Sequence, residues 1–224
     1  MKIISIFGTR PEMIKMWGTL KKLDEQNFDH IMVHTGQNFT PELKDFFFED
    51  LDLRKPDYSL QIDVSNYGNE VADVIRKSDE LFEAIKPDAL LVLGDTYSGL
   101  SVMPAANRGI KIFHMEAGLR AWDKRMPEQR NRILIDHMSD ILLPYNNYHR
   151  ENLIKENMSE GLIFSGDVMY DSALHFGALS KEKISLIKWN LEEKEYALCT
   201  IHRAENTGDV EKLVNIFRNE IKIT

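Results

Sequence analysis

Ile3-Ile4-Ser5-Ile6-Phe7 runs directly into Gly8-Thr9-Arg10-Pro11-Glu12, and the reading of this junction decides the fold. An apolar run without alternation marks a strand buried on both faces. Gly8 permits a close turn. Pro11 suits the first turn of a helix, because its ring sets a helical φ and its missing N–H would have had no helical partner. Strand, tight turn and helix together open a parallel βαβ unit.

The same pattern recurs down the chain. Apolar runs over residues 30–34, 89–93, 112–115, 141–143 and 162–164 read as strands, and 197–201 as a further one. Helices are expected over 11–25, 41–50, 68–85, 98–107, 128–138 and 148–156. Lys86-Pro87-Asp88 ends the helix before it, since the residue preceding a proline is pushed out of the α region. Right-handed crossovers between such strands make a doubly wound, Rossmann-like α/β fold. The aromatic run Phe46-Phe47-Phe48 fits a helix packed on that sheet.

Composition and charge narrow the function. The chain has 224 residues, 43% hydrophobic and 29% charged, which places it among globular proteins rather than disordered ones. A net charge of −8 argues against a nucleic-acid partner, because phosphate backbones need clustered Lys and Arg. Cys199 is the lone cysteine, so neither an intrachain disulfide nor a thiolate metal site can form, and a reducing cytoplasm fits. The first apolar run is too short for a signal peptide, and no run is long enough to span a membrane. Composition changes after Gly166. We expect a Rossmann-like domain over 1–167, a helical connector over 168–193, and the beginning of an incomplete second domain over 194–224. One strand and one helix cannot bury both faces of a sheet.

Ligands of such sheets bind at the carboxyl ends of the strands, where the strand order reverses. Arg10 and Lys15 follow the first strand and can grip phosphate oxygens at a helix amino terminus, or lie on the surface of an ordinary βα turn. The strand at 89–93 ends in Gly94-Asp95-Thr96, where Asp95 either caps the next helix or offers a carboxylate to a ligand. The next strand ends in His114-Met115-Glu116, which sets a second acid at the equivalent edge. Close carboxylates raise one another's pKa and suit general acid or base work. Pro127-Glu128 opens a helix in which Glu128 can serve the helix dipole or the site, with Arg132 one turn later as its partner or as an anion ligand. His202 titrates near neutrality and follows the strand expected in the second domain. His30, His34, His114, His137, His149 and His175 have no HExxH-like spacing, so no metal site is expected and they read mainly as structural. Trp122 can cover a sugar ring or anchor its own loop.

Taken in order, Gly8-Thr9-Arg10-Pro11-Glu12 with Lys15, His34-Thr35-Gly36-Gln37, Leu93-Gly94-Asp95-Thr96, His114-Met115-Glu116-Ala117-Gly118-Leu119-Arg120, Pro127-Glu128-Gln129-Arg130-Asn131-Arg132 and His202-Arg203-Ala204-Glu205-Asn206 resemble the non-hydrolysing UDP-N-acetylglucosamine 2-epimerases. His34 to Asn38 and Arg54 to Tyr58 look more like the branch acting on UDP-N-acetyl-L-sugars. The resemblance implies two Rossmann-like domains arranged as in GT-B glycosyltransferases, a homodimer, no cofactor and a UDP-N-acetyl amino sugar as substrate. It implies elimination of UDP to a 2-acetamidoglycal followed by re-addition. By position it makes Asp95, Glu116, Glu128 and His202 catalytic, and Arg10, Lys15, Gln37 and Arg132 substrate ligands. The family's uridine-binding elements do not follow Thr224, so negligible turnover is expected of this polypeptide alone. A UDP-sugar transferase or hydrolase, and a non-catalytic sugar-nucleotide module, are the competing expectations.

Overall fold

The computed structural model describes residues 1–36, 48–183, 185–201 and 204–219. Among these residues six strands form one parallel sheet in the order β3-β2-β1-β4-β5-β6: β1 (Lys2–Phe7), β2 (Asp29–His34), β3 (Tyr58–Ser59), β4 (Ala89–Leu93), β5 (Lys111–Met115) and β6 (Ile141–Leu143). The order reverses between β1 and β4, which pair through Ile3 and Ala89, Ile4 and Leu90, and Ser5 and Leu91. The switch point of the doubly wound sheet therefore lies between the loops that follow these two strands.

Neighbouring residues on each strand serve opposite layers. Ile4 and Ile6 pack with Leu90, Val92 and Ile112 under Phe82, Val102 and Ile135. Phe7, Leu91, Leu93 and Met115 pack on the other face against Met13, Met16 and Leu20. Those three residues lie on α1 (Arg10–Glu25), whose first turn carries Pro11 as expected. The first layer is built by α2 (Tyr67–Ile85), a 3₁₀ turn (Tyr97–Ser101), α3 (Val102–Asn107) and α4 (Pro127–Met138). α2 ends on Lys86 at φ 53°, so the chain turns immediately before Pro87. α5 (Asn147–Lys155) follows β6 and starts on an Asn146 cap whose side chain accepts the His149 N–H.

The chain divides into two compact units, Met1–Ala178 and Leu179–Thr224. In the first, the part of α6 (Val168–Lys183) up to Ala178 packs on α1: the Ser172 hydroxyl donates to the Ile14 carbonyl at 2.6 Å, and the His175 ring stacks on Trp17 with centroids 4.2 Å apart. The second unit contains a 3₁₀ turn (Leu186–Trp189), α7 (Ala204–Thr207) and α8 (Val210–Asn219).

Three local readings differ from the sequence. β3 was not expected, because two paired residues leave no apolar run to recognise. At 162–164 there is no strand, only an isolated bridge from Leu162 to Leu142 at the sheet edge, where the partner strand is three residues long. Residues 197–201 form no strand, since a strand needs a ladder partner and none lies beside them among the described residues. Of the helix expected over 41–50, only 48–50 fall within the described residues, and they are helical. Among the described residues no helix is long and apolar enough to cross a membrane, and no group of acids, histidines or cysteines is arranged to hold a metal ion.

Candidate active site

The site forms where β1, β4 and β5 end. Gly94, at φ 72°, turns the chain out of β4, and its N–H donates to the Met115 carbonyl at 3.0 Å, which ties that turn to the end of β5. A Cβ on Gly94 would lie 3.2 Å from Glu116 Oε2, so glycine also makes room for the acid beside it. Glu116 itself sits at φ 65°. A left-handed conformation at a non-glycine residue costs about 1–2 kcal/mol and persists where the surroundings enforce it.

Glu116 and Asp95 each have a cation against them. Lys15, from the second turn of α1, donates to both oxygens of Glu116 at 2.8 and 3.0 Å. Arg132, on α4, pairs with Asp95 through Nη2. Burial holds the Asp95 carboxyl above its ordinary range; Arg132 opposes this, Glu116 reinforces it, Lys15 opposes and Glu128 reinforces. Asp95, Glu116, Glu128, Lys15 and Arg132 thus share one electrostatic neighbourhood. Glu128 occupies the exposed first turn of α4, and Arg10 is exposed at the first position of α1.

The two capping alternatives separate cleanly. Thr96, not Asp95, holds the cap position of the 3₁₀ turn that follows β4, and Asp95 is engaged by Arg132 instead. Glu12 completes the capping box of α1 with Thr9: its Oε2 accepts the Gly8 N–H at 3.0 Å, the Thr9 N–H at 2.8 Å and the Thr9 hydroxyl at 2.8 Å. Its Oε1 accepts the Thr96 hydroxyl at 2.8 Å, so one buried carboxylate joins the turn after β1 to the turn after β4. Burial raises the Glu12 carboxyl, against the lowering effect of these donors.

Other residues around the site were not singled out from the sequence. Asn131 donates from Nδ2 to the Asp95 carbonyl at 2.9 Å, one position before Arg132 grips the Asp95 side chain. Tyr145, in the loop after β6, has its hydroxyl pushed up by burial, then by Glu116 and Asp167. No short-range spacing signals Tyr145, because its relation to Glu116 exists only once β5 and β6 pair.

Comparison with known proteins agrees with this architecture. A family profile described as UDP-N-acetylglucosamine 2-epimerase matches residues 21–222. The chain belongs to this family. A Methanococcus maripaludis UDP-N-acetylglucosamine 2-epimerase homolog is 40% identical over 97% of this chain and 61% of that protein. A Pseudomonas aeruginosa UDP-2,3-diacetamido-2,3-dideoxy-D-glucuronate 2-epimerase is 39% identical over 100% of this chain and 64% of its own length. The crystal structure of Methanocaldococcus jannaschii UDP-GlcNAc 2-epimerase with UDP-GlcNAc and UDP superposes with a TM-score of 0.87 at 33% identity, covering 97% of this chain and 61% of that one. The chain therefore spans about three fifths of the length of the epimerases it matches. Within this epimerase-family chain, two residues expected at the site, Gln37 and His202, lie outside the described residues.

Proposed function

We propose that this chain carries the acid–base centre of a UDP-N-acetylglucosamine 2-epimerase or of an epimerase acting at C2 of a related UDP-2-acetamido sugar. One observation carries the reading: Asp95, Glu116 and Glu128 share a neighbourhood with Lys15 and Arg132 at the switch point of the sheet. Hydrogen on a carbon beside the anomeric centre is weakly acidic, so its removal needs a placed base and a stabilised leaving group together.

The step is redox neutral. A carboxylate takes the C2 proton, the C–H electron pair becomes the C1–C2 double bond, and the C1–O bond breaks with its electrons leaving on UDP. Return of a proton to the opposite face of C2, with re-addition of UDP at C1, completes the inversion. Two acids from adjacent strand ends suit the two faces. Burial raises the Asp95 carboxyl, and Lys15 holds Glu116 through both of its oxygens. Arg10, at the amino terminus of α1, fits the departing diphosphate, with Gln37 and His202 as further ligands and Glu128 as the third acid. A homodimer in the cytoplasm completes the proposal, the latter in keeping with the lone, exposed Cys199.

The test is incubation of the chain with UDP-GlcNAc in deuterium oxide, followed by NMR at C2. Deuterium at C2 at a trace rate, in keeping with the low turnover expected of this polypeptide alone and lost in Asp95→Asn, is the expected result. Release of UDP with protium retained at C2 would instead assign a hydrolase, and binding without exchange a non-catalytic module. Light scattering on the purified chain tests the dimer.

A further inference from the structure

We propose that His114 is a positioning residue, tying the two acid-bearing turns of the site to the buried carboxylate of Asp136. This deepens the reading of Asp95 and Glu116 as reacting acids and rests on it.

His114 lies on β5 with its side chain fully buried. Its Nδ1 is 2.7 Å from Asp136 Oδ1, and its Nε2 is 2.8 Å from the Gly94 carbonyl oxygen. A carboxylate oxygen and a carbonyl oxygen only accept, so the ring donates from both nitrogens. The Gly94 carbonyl belongs to the peptide that leads into Asp95. Because that peptide is planar, holding its oxygen sets the direction in which Asp95 leaves the strand.

The other oxygen of Asp136 serves the second turn. Oδ2 accepts the Gly118 N–H at 3.2 Å and Arg120 Nη1 at 2.7 Å. Gly118 closes the turn that begins at Glu116, the residue held at φ 65°. Asp136 itself stands four residues beyond Arg132 and eight beyond Glu128 on α4, so one helix face presents two site residues and, behind them, the anchor. A histidine that merely filled the core would also need partners for its ring nitrogens, but its loss would lower stability without altering the surroundings of Asp95.

The experiment uses the full chain labelled with carbon-13 and nitrogen-15 and no substrate. In the wild type, NMR is expected to show two slowly exchanging ring protons on His114; a single ring proton would overturn the proposal without any variant having to fold. In His114→Gln, which offers only one donating group, the Asp95 carboxyl titration is expected to move down towards that of an exposed aspartate as water enters the loosened turn. Asp95 is faced by Arg132 and Glu128 from α4, by Glu116 after β5 and by Lys15 from α1, and the substitution leaves all four in place. Phe82→Leu is the control, because Phe82 is buried in the last turn of α2, which leads into the amino end of β4, and belongs to neither turn. An unchanged Asp95 midpoint in folded His114→Gln overturns the proposal, as does an equal shift in Phe82→Leu. Absence of deuterium exchange at C2 would sink the epimerase reading and leave these readouts standing, so the two failures are distinguishable.

Discussion

Replacing Gly118 with alanine tests how rigidly the turn after β5 is held. Gly118 is at φ 81°, and a Cβ added there lies 2.3 Å from the His149 carbonyl oxygen and 2.9 Å from Leu153 Cγ. The nearest obstacle is backbone of α5, so relief requires the helix or the turn to move. Two costs add: about 1–2 kcal/mol for placing an L-residue in the left-handed region, and about 1–3 kcal/mol for overpacking a close-packed site. Gly109→Ala separates them, because Gly109 is at φ 68° with nothing within 4 Å of the added methyl and therefore incurs only the first cost. Urea unfolding followed by circular dichroism is expected to place Gly118→Ala about 2–5 kcal/mol below the wild type and Gly109→Ala about 1–2 kcal/mol below it. A total of this size is a large fraction of the ordinary stability of a domain, about 5–15 kcal/mol. If Gly118→Ala proves no more destabilising than Gly109→Ala, the close approach of α5 to the Glu116 turn is refuted.

Gly18→Ala, inside α1 with nothing within 4 Å of the new side chain, is expected to stabilise the chain by about 0.5–1 kcal/mol in the same assay. Asp136→Asn is expected to cost about 3–5 kcal/mol at neutral pH, because it leaves Arg120 and His114 facing a neutral partner inside the protein. Burial alone would raise the Asp136 carboxyl, but His114 and Arg120 hold it below its ordinary range, so its contribution is fully present above the unfolded value of about 3.9 and is lost as pH falls towards the folded one. Acid unfolding of Asp136→Asn should accordingly show a shallower loss of stability through that window than the wild type. Arg132→Met removes the cation that opposes the burial of Asp95, so the Asp95 carboxyl should titrate still higher, as read by carbon-13 NMR; a downward movement would contradict the pairing.

How much of this was legible beforehand depended on the range of the interactions. The acids themselves could be found in the sequence, because Asp95 and Glu116 each stand just past an apolar run, and parallel sheets present such positions at one edge. Their partners could not. Lys15 and Glu116 are 101 residues apart, and His114 and Gly94 are joined by a hydrogen bond that no spacing rule suggests. The sequence reading of the histidines as mainly structural held no hint of the two acceptors of His114. Lys15, expected at a phosphate, is in this structure the partner of Glu116.

By itself the sequence determined the elements of β1, α1, α2, β4 and α4, because unbroken apolar runs, Pro11, Lys86-Pro87 and Pro127 act through their immediate neighbours. It determined the layering for the same reason, since residues buried on both faces of a strand demand cover on both sides. Only the tertiary structure decided that Tyr58–Ser59 would pair as an edge strand and that 162–164 would not form one, for a ladder exists only where a partner is within hydrogen-bonding distance. It alone decided which cation meets which acid and which carboxylate stays inside to hold the turns, because burial and Coulomb interactions depend on distance in space and not along the chain.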